Sequence, residues 1–232
     1  MEKIFSKVIE KLIVVLSKSE ICIMKILVMA ATQEEIAPFL KWNTNIDVLI
    51  CGVGIPSTVY CLTKKLLQEK YTLVIQAGIA GTFSKKIKNG DVVAVEQDAF
   101  ADIGAQEKRK FKTLFELGFD DENKFPFRKG CLFNASEILQ SSHLKKVKAV
   151  TINKISGRKK QTKQLKAIFD AEIESMEGAA FHFVCLQQNI QFLQIRCISN
   201  KVGERDKAKW EIARAIKNLN QELIKLINSI KK

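Results

Sequence analysis

The sequence predicts an α/β protein, a three-layer α/β/α sandwich with a central mixed sheet. Short runs that are apolar at nearly every position alternate with segments of helical composition. A strand without polar alternation is buried on both faces, which requires helices on both sides of the sheet. A chain of 232 residues with 47% hydrophobic residues and three prolines is large enough to bury one full core. Two compact domains would be cramped at this length.

The predicted strands and helices alternate from residue 25 onward. We expect strands over 25–31, 46–51, 72–77, 91–96, 147–152 and 191–198. We expect helices over 33–41, 56–70, 159–169 and 176–189. This alternation is the pattern of a layered α/β domain.

The last helix has the clearest amphipathic pattern. Isoleucine and leucine recur at three- and four-residue spacing, at Ile212, Ile216, Leu219, Leu223 and Ile227. Such a stripe packs one helix face on the domain, and Asp206 is placed to cap the helix. Residues 100–130 are polar with little periodicity, so we expect a long loop there, of a length that is often functional.

The first 23 residues differ from the rest of the chain. Residues 12–16 form an apolar run after a basic start, but the run is too short to span a bilayer. It also lacks a small-residue cleavage site, so we do not expect a secretory signal. Met24 stands directly before the first predicted strand. We therefore expect the folded domain to occupy residues 24–232, the natural domain to begin at Met24, and residues 1–23 to be an N-terminal extension.

Composition limits the compartment and the partners. Six cysteines lie among apolar residues without a C-x-x-C pair, so we expect core thiols in the reducing cytoplasm. The formal net charge is +13, but the Lys and Arg clusters are short and lie at predicted turns and helix ends. With no nucleic-acid motif and only two Trp and two Tyr, we expect neither a nucleic-acid nor a membrane partner. Attraction of a small anionic substrate stays open.

Two glycine-containing turns follow predicted strands. Residues 51–57 superficially resemble a dinucleotide-binding turn, but Ser57 replaces the third glycine and no suitably spaced acidic ribose ligand follows. A tight turn with Pro56 opening a helix is favoured. Residues 76–82 contain Ala80 and Gly81, whose small size would let the backbone approach a ligand or simply form a turn.

Three polar side chains stand near strand ends, where α/β folds bind ligands. Glu35 follows the first strand at a helix start, although the helix dipole alone also favours a carboxylate there. Glu177 enters an apolar helix that should be buried, and a vicinal diol would satisfy both of its oxygens. Asn200 ends an apolar strand as donor and acceptor, or begins an Asx turn. The two histidines lack ligand-like neighbours, and we expect no metal site.

Taken in order, these segments resemble the purine nucleoside phosphorylase and nucleosidase family from residue 24 to about residue 231. The matching segments are 24–35, 77–81, 89–93, 175–180 and 195–200. Each segment alone is unspecific, whereas their series is specific. The resemblance implies a nucleoside phosphorylase-like fold, a purine nucleoside as partner, no cofactor, and a homodimer in which the neighbouring subunit closes the 5′ pocket.

The resemblance also assigns roles. Glu35 matches the glutamate that orients and deprotonates the attacking water, and Glu177 matches the one that hydrogen-bonds the ribose hydroxyls. Asn200 matches the residue that contacts the purine at N7 and its six-substituent. The other implied substrate-binding residues are Ala80, Gly81, Met176 and Ser199.

Position 200 carries the substrate prediction. The methylthioadenosine and S-adenosylhomocysteine nucleosidases of the family have aspartate there, whereas an asparagine amide can donate to a six-oxo group or N7. Residues 100–106 and 192–196 resemble the branch that hydrolyses futalosine, a hypoxanthine nucleoside, in an alternative menaquinone route. The expected reaction is hydrolysis of its N-glycosidic bond. The alternatives are a methylthioadenosine-type nucleosidase, a purine nucleoside phosphorylase and a non-catalytic nucleoside-binding module.

Overall fold

The computed structural model describes residues 24–42, 45–108, 110–157 and 159–230. The predictions for residues 1–23 lie outside the described residues, and the domain start at Met24 stays a prediction. Within the described ranges the strands are β1 Ile26–Ala30, β2 Asp47–Ile50, β3 Leu73–Thr82, β4 Val92–Asp98, β5 Gly104–Glu107, β6 Lys110–Thr113, β7 Leu132–Phe133, β8 Lys145–Thr151, β9 Ile173–Ser175 and β10 Gln191–Lys201. The helices are α1 Ala37–Trp42, α2 Ile55–Gln68, α3 Glu137–Ser141, α4 Lys159–Phe169, α5 Gly178–Gln187 and α6 Ile212–Ile230, with 3₁₀ turns at Glu34–Ile36 and Lys207–Lys209.

The main sheet is mixed and partly closed. Its order is β10-β4-β8-β9-β3-β1-β2, with β7 on β4. The first three strands are parallel to one another and to β10, whereas β4 is antiparallel to β10 and β9 is antiparallel to β3. Because β10 pairs with both β3 and β4, five strands form a closed ring. The carboxyl ends of β1, β3 and β10 therefore meet at one edge.

Helices cover both faces of the sheet, which confirms the predicted three layers. Alternate residues of β1 point to opposite sides, as expected for a strand. Val28 packs in the core beneath α6, together with Leu219. Leu27 packs on the other side, in the core that contains Phe181 of α5. All four side chains are fully buried, so β1 is apolar at every position because it faces two cores.

The predicted core strands are present, but two extend further than expected. β3 continues to Thr82 and β10 to Lys201, because the two pair with each other along nearly their whole length. Four of the five residues 77–81 are Ala or Gly, which have weak strand propensity, so pairing rather than propensity makes this segment a strand. The extensions carry Ala80, Gly81 and Asn200 to the carboxyl edge of the sheet.

Two local predictions were wrong. Residues 100–130 are not one loop, since they contain the β5–β6 hairpin, whose strands bury no residue fully and so give no core signal. Asp206 caps the 3₁₀ turn Lys207–Lys209 by accepting from Ala208 N at 3.1 Å, whereas α6 begins at Ile212. The helix predicted over 33–41 is present as a 3₁₀ turn that continues directly into α1. No helix among the described residues is long and apolar enough to cross a membrane.

Candidate active site

One cavity of about 260 Å³ is lined by all seven predicted site residues. They come from four places in the chain: the turn after β1, the end of β3, the two residues between β9 and α5, and the end of β10. These residues are Glu35, Ala80, Gly81, Met176, Glu177, Ser199 and Asn200. The fold thus brings the whole set together, while their chemical roles stay predictions.

Glu35 is buried and held by two backbone amides. Its Oε1 accepts from Ile79 N at 3.0 Å, and its Oε2 accepts from Thr32 N at 3.1 Å. Burial raises the pKa of Glu35 above the usual glutamate value, although the nearby positive charge of Arg196 and the amide bonds act in the opposite direction. A carboxylate of raised basicity at a cavity wall suits a general base.

Glu177 forms a buried ion pair with Arg196. Glu177 Oε2 lies 3.4 Å from Arg196 Nη1, and its Oε1 accepts from Gly54 N at 3.1 Å. Arg196 is only 1% exposed, and its Nη2 donates to Gln76 Oε1 at 2.9 Å. A buried guanidinium is stable only with such partners. Arg196 therefore holds one site carboxylate directly and acts electrostatically on the other.

The guanidinium fits because residue 78 is glycine. A Cβ at Gly78 would overlap Arg196 Nη1 and would lie 3.0 Å from Glu35 Oε1. The positions of both charged groups thus depend on the missing side chain. Neither Arg196 nor Gly78 is among the site residues predicted from the sequence, although a charged residue inside the apolar run 195–198 indicates a need for buried partners.

A bulge in β10 directs Asn200 into the cavity. Ile198 pairs with Ala80 and Asn200 pairs with Gly81, so Ser199 is the extra residue between them. Bulges re-aim side chains in this way beside active sites. Ser199 Oγ donates to Asn200 Oδ1 at 2.8 Å, and Asn200 Nδ2 donates to the Lys201 carbonyl at 2.9 Å. One N–H and one oxygen lone pair of the amide remain available to a ligand.

The rest of the wall is mainly apolar, with one further acid. Trp210 lines the cavity, and its Nε1 donates to the Glu204 carbonyl at 3.1 Å. Glu174 is buried in the wall and accepts from Ser156 N at 3.2 Å. Ser175, next to Glu174, caps the following helix, since its Oγ accepts from Gly178 N at 3.3 Å. Among the described residues, no three His, Cys, Asp or Glu side chains are grouped to hold a metal ion.

The chain matches known proteins in sequence and in fold. Residues 39–231 match the phosphorylase superfamily. The futalosine hydrolase of Thermus thermophilus is 27% identical over 201 residues, which cover 82% of this chain and 86% of that protein. The native futalosine hydrolase of Helicobacter pylori has a TM-score of 0.74 at 19% identity, covering 89% of this chain and 98% of that one. A 5′-methylthioadenosine/S-adenosylhomocysteine nucleosidase variant of Helicobacter pylori, solved with 5′-methylthioadenosine in the active site, has a TM-score of 0.75 at 19% identity, covering 89% of this chain and 99% of that one.

The match over most of the chain settles the class: this protein belongs to the phosphorylase superfamily. The two structural neighbours establish that its α/β/α sandwich is the nucleoside phosphorylase-like fold expected from the sequence. Its relatives include proteins named futalosine hydrolase and others named 5′-methylthioadenosine/S-adenosylhomocysteine nucleosidase.

Replacing Gly78 by alanine should destabilise the fold. The new methyl group would displace the Arg196 guanidinium, and overpacking of this kind costs about 1–3 kcal/mol. We expect the free energy of unfolding in urea to fall by this amount. Gly157→Ala is the matched control, because its Cβ would meet Arg205 Cδ at an ordinary 3.6 Å. Equal stability of the two variants would contradict the packing argument.

Proposed function

We propose that this protein is a nucleosidase that hydrolyses the N-glycosidic bond of futalosine, releasing hypoxanthine and dehypoxanthine futalosine. The observation that carries the proposal is the convergence of Glu35, Glu177 and Asn200 on one cavity. These groups supply a base for water, a partner for ribose hydroxyls and a partner for the purine. The sequence similarity to the futalosine hydrolase of Thermus thermophilus supports the choice of substrate, and such an activity belongs to an alternative menaquinone route.

The geometry suits a reaction in which charge separates. Cleavage of the glycosidic bond builds positive charge on the sugar and negative charge on the departing base. Glu35, fixed by the amides of Thr32 and Ile79, would orient and deprotonate a water molecule. Glu177 would accept from the ribose hydroxyls, and Met176 would pack on the sugar. The free N–H of Asn200 would donate to the purine as negative charge develops there.

Two observations bear on hydrolysis and on the alternative substrate. Arg196 is tied to Glu177 and Gln76, so it does not stand free in the cavity to bind phosphate. This favours water over phosphate as the nucleophile. The second candidate is a methylthioadenosine-type nucleosidase, because the Helicobacter pylori nucleosidase has the same fold as this protein. Asparagine at position 200 favours a six-oxopurine over adenine, because an amide N–H can donate to a carbonyl oxygen.

We also propose that the protein is cytoplasmic. The five cysteines among the described residues are free thiols, and three of them are buried in the cores. Thiols in this state are typical of a reducing compartment.

Base release should depend on Glu35. In phosphate-free buffer, we expect much faster release of hypoxanthine from futalosine than of adenine from methylthioadenosine, with the released base measured by chromatography. Glu35→Gln should lower the rate by about 10²–10⁴-fold, because an amide cannot take a proton from water. The wild-type rate should fall with decreasing pH as Glu35 is protonated, at a pH above the ordinary glutamate range because burial raises its pKa. Adenine release would favour the second candidate, and strict dependence on phosphate would indicate a phosphorylase.

Asn200→Asp should move the preference toward adenine. A carboxylate accepts from the six-amino group of adenine, but it repels the six-oxo group of hypoxanthine. We expect kcat/KM for futalosine to fall by at least about tenfold, roughly the loss of one good hydrogen bond, while kcat/KM for methylthioadenosine rises or is unchanged. Asn200→Ala removes the amide without adding a charge, so it should weaken both reactions. It therefore separates the loss of the amide from the effect of the new carboxylate. A larger loss for methylthioadenosine than for futalosine in the aspartate variant would show that residue 200 does not select the base.

Assembly as a homodimer is part of the proposal. Along one side of α2, Tyr60 and Leu67 are 66% and 73% exposed, and Val53 at the cavity mouth is 52% exposed. Large apolar side chains exposed on one side of a helix are typical of a protein interface. We expect sedimentation to give a dimer, and Tyr60→Glu with Leu67→Glu to give a monomer. Phe119→Glu is the control, because Phe119 is 79% exposed but lies outside this surface. A monomeric wild type would contradict the assignment.

A further inference from the structure

Glu177 occupies the N-cap position of α5, but its side chain makes no capping hydrogen bond. Its two oxygens are used instead by Gly54 N and Arg196 Nη1. The first N–H groups of a helix have no partner within the helix, and here they are buried. Other groups must therefore satisfy the beginning of α5.

Two hydroxyl groups outside α5 act as its caps. Thr151 Oγ1, at the end of β8, accepts from Ala179 N at 2.7 Å. Ser175 Oγ accepts from Gly178 N at 3.3 Å. Thr151 is fully buried, and its hydroxyl donates in turn to Asp98 Oδ1 at 3.0 Å. That bond fixes the direction of the hydroxyl hydrogen and leaves a lone pair for Ala179 N.

Asp98 lies directly beneath the helix N-terminus. A Cβ at Gly178 would overlap both Asp98 Oδ2 and Gln194 Nε2, so this glycine allows the helix to rest on the carboxylate. Asp98 Oδ1 also accepts from Ala99 N at 2.9 Å. A negative charge at this end of a helix is favoured by the helix dipole.

The charged and titratable surroundings of Asp98 fit this role. Burial raises the pKa of Asp98 to about 7, while Thr151 and the positive charge of Arg196 act to lower it. Burial also lowers the pKa of His182, on α5, to about 3, so this neighbour of Gln194 is neutral. Cys131 is a thiol whose pKa is raised, chiefly by burial and further by Asp98. Arg196 is thus the positive charge that acts on the pKa of Asp98.

We infer that Thr151, whose hydroxyl is oriented by Asp98, caps α5 in place of Glu177, so that Thr151 and Asp98 are positioning residues that keep the Glu177 carboxylate at the cavity wall to bind the substrate ribose. The inference rests on the proposed function. If the Glu177 carboxylate accepted from the first N–H groups of α5, as an N-cap side chain does, it would turn toward the α5 amides and away from the cavity. The fold therefore supplies a second set of caps so that one carboxylate can serve the ligand.

The test is discrimination by the 2′-hydroxyl group. We would measure kcat/KM of wild type, Thr151→Val and Thr151→Ser for futalosine and for 2′-deoxyfutalosine. Wild type should prefer the ribonucleoside by at least about tenfold, since a hydrogen bond to a charged group contributes roughly 1.5–3 kcal/mol. Thr151→Val should lower that preference at least fivefold because Glu177 is misplaced, whereas Thr151→Ser keeps the hydroxyl and should retain the preference.

Asp98→Asn provides a second variant if Thr151→Val does not fold. It keeps an acceptor for Thr151 but removes the charge, and the preference should fall in the same direction. Equal losses on both substrates in Thr151→Val and Asp98→Asn would overturn the inference, because a merely structural defect does not distinguish the two nucleosides. A wild type without a 2′-hydroxyl preference would also overturn it. A wild type that releases no base from futalosine would instead overturn the proposed function, and the inference with it.

Discussion

The candidate site depends on one buried ion pair, between Arg196 and Glu177. A guanidinium that is 1% exposed needs its charge balanced, and the Glu177 carboxylate supplies the opposite charge while Gln76 accepts from Nη2. The positive charge of Arg196 also lowers the pKa of Glu35, but burial has the larger effect and raises it. The pair thus fixes the position of one carboxylate and moderates the basicity of the other.

Backbone N–H groups orient the two glutamates of the site. Ile79 and Thr32 hold Glu35, and Gly54 holds Glu177, all through main-chain N–H groups. A main-chain donor has little conformational freedom to lose, so it orients a carboxylate at a low entropic cost. The two glutamates are therefore oriented before any ligand arrives, which is the condition for electrostatic preorganisation.

Glycine allows several of these close approaches. Gly78 lies against the guanidinium of Arg196, and Gly178 lies against the carboxylate of Asp98. In both places polar groups contact the main chain where a side chain would otherwise stand. Gly78 lies within β3 and Gly178 begins α5, so the sheet and the helix each accept a polar group directly against the main chain.

The sequence by itself determined the layered α/β fold, because strands buried on both faces carry an unbroken apolar pattern that local composition reveals. It also identified the seven residues that the fold brings to one cavity, although it left each with a local explanation as well. Only the tertiary structure decided that Arg196 pairs with Glu177, that the Ser199 bulge directs Asn200, and that Thr151, oriented by Asp98, caps α5. These contacts join residues far apart in the chain, so their geometry depends on strand register and on packing rather than on local spacing.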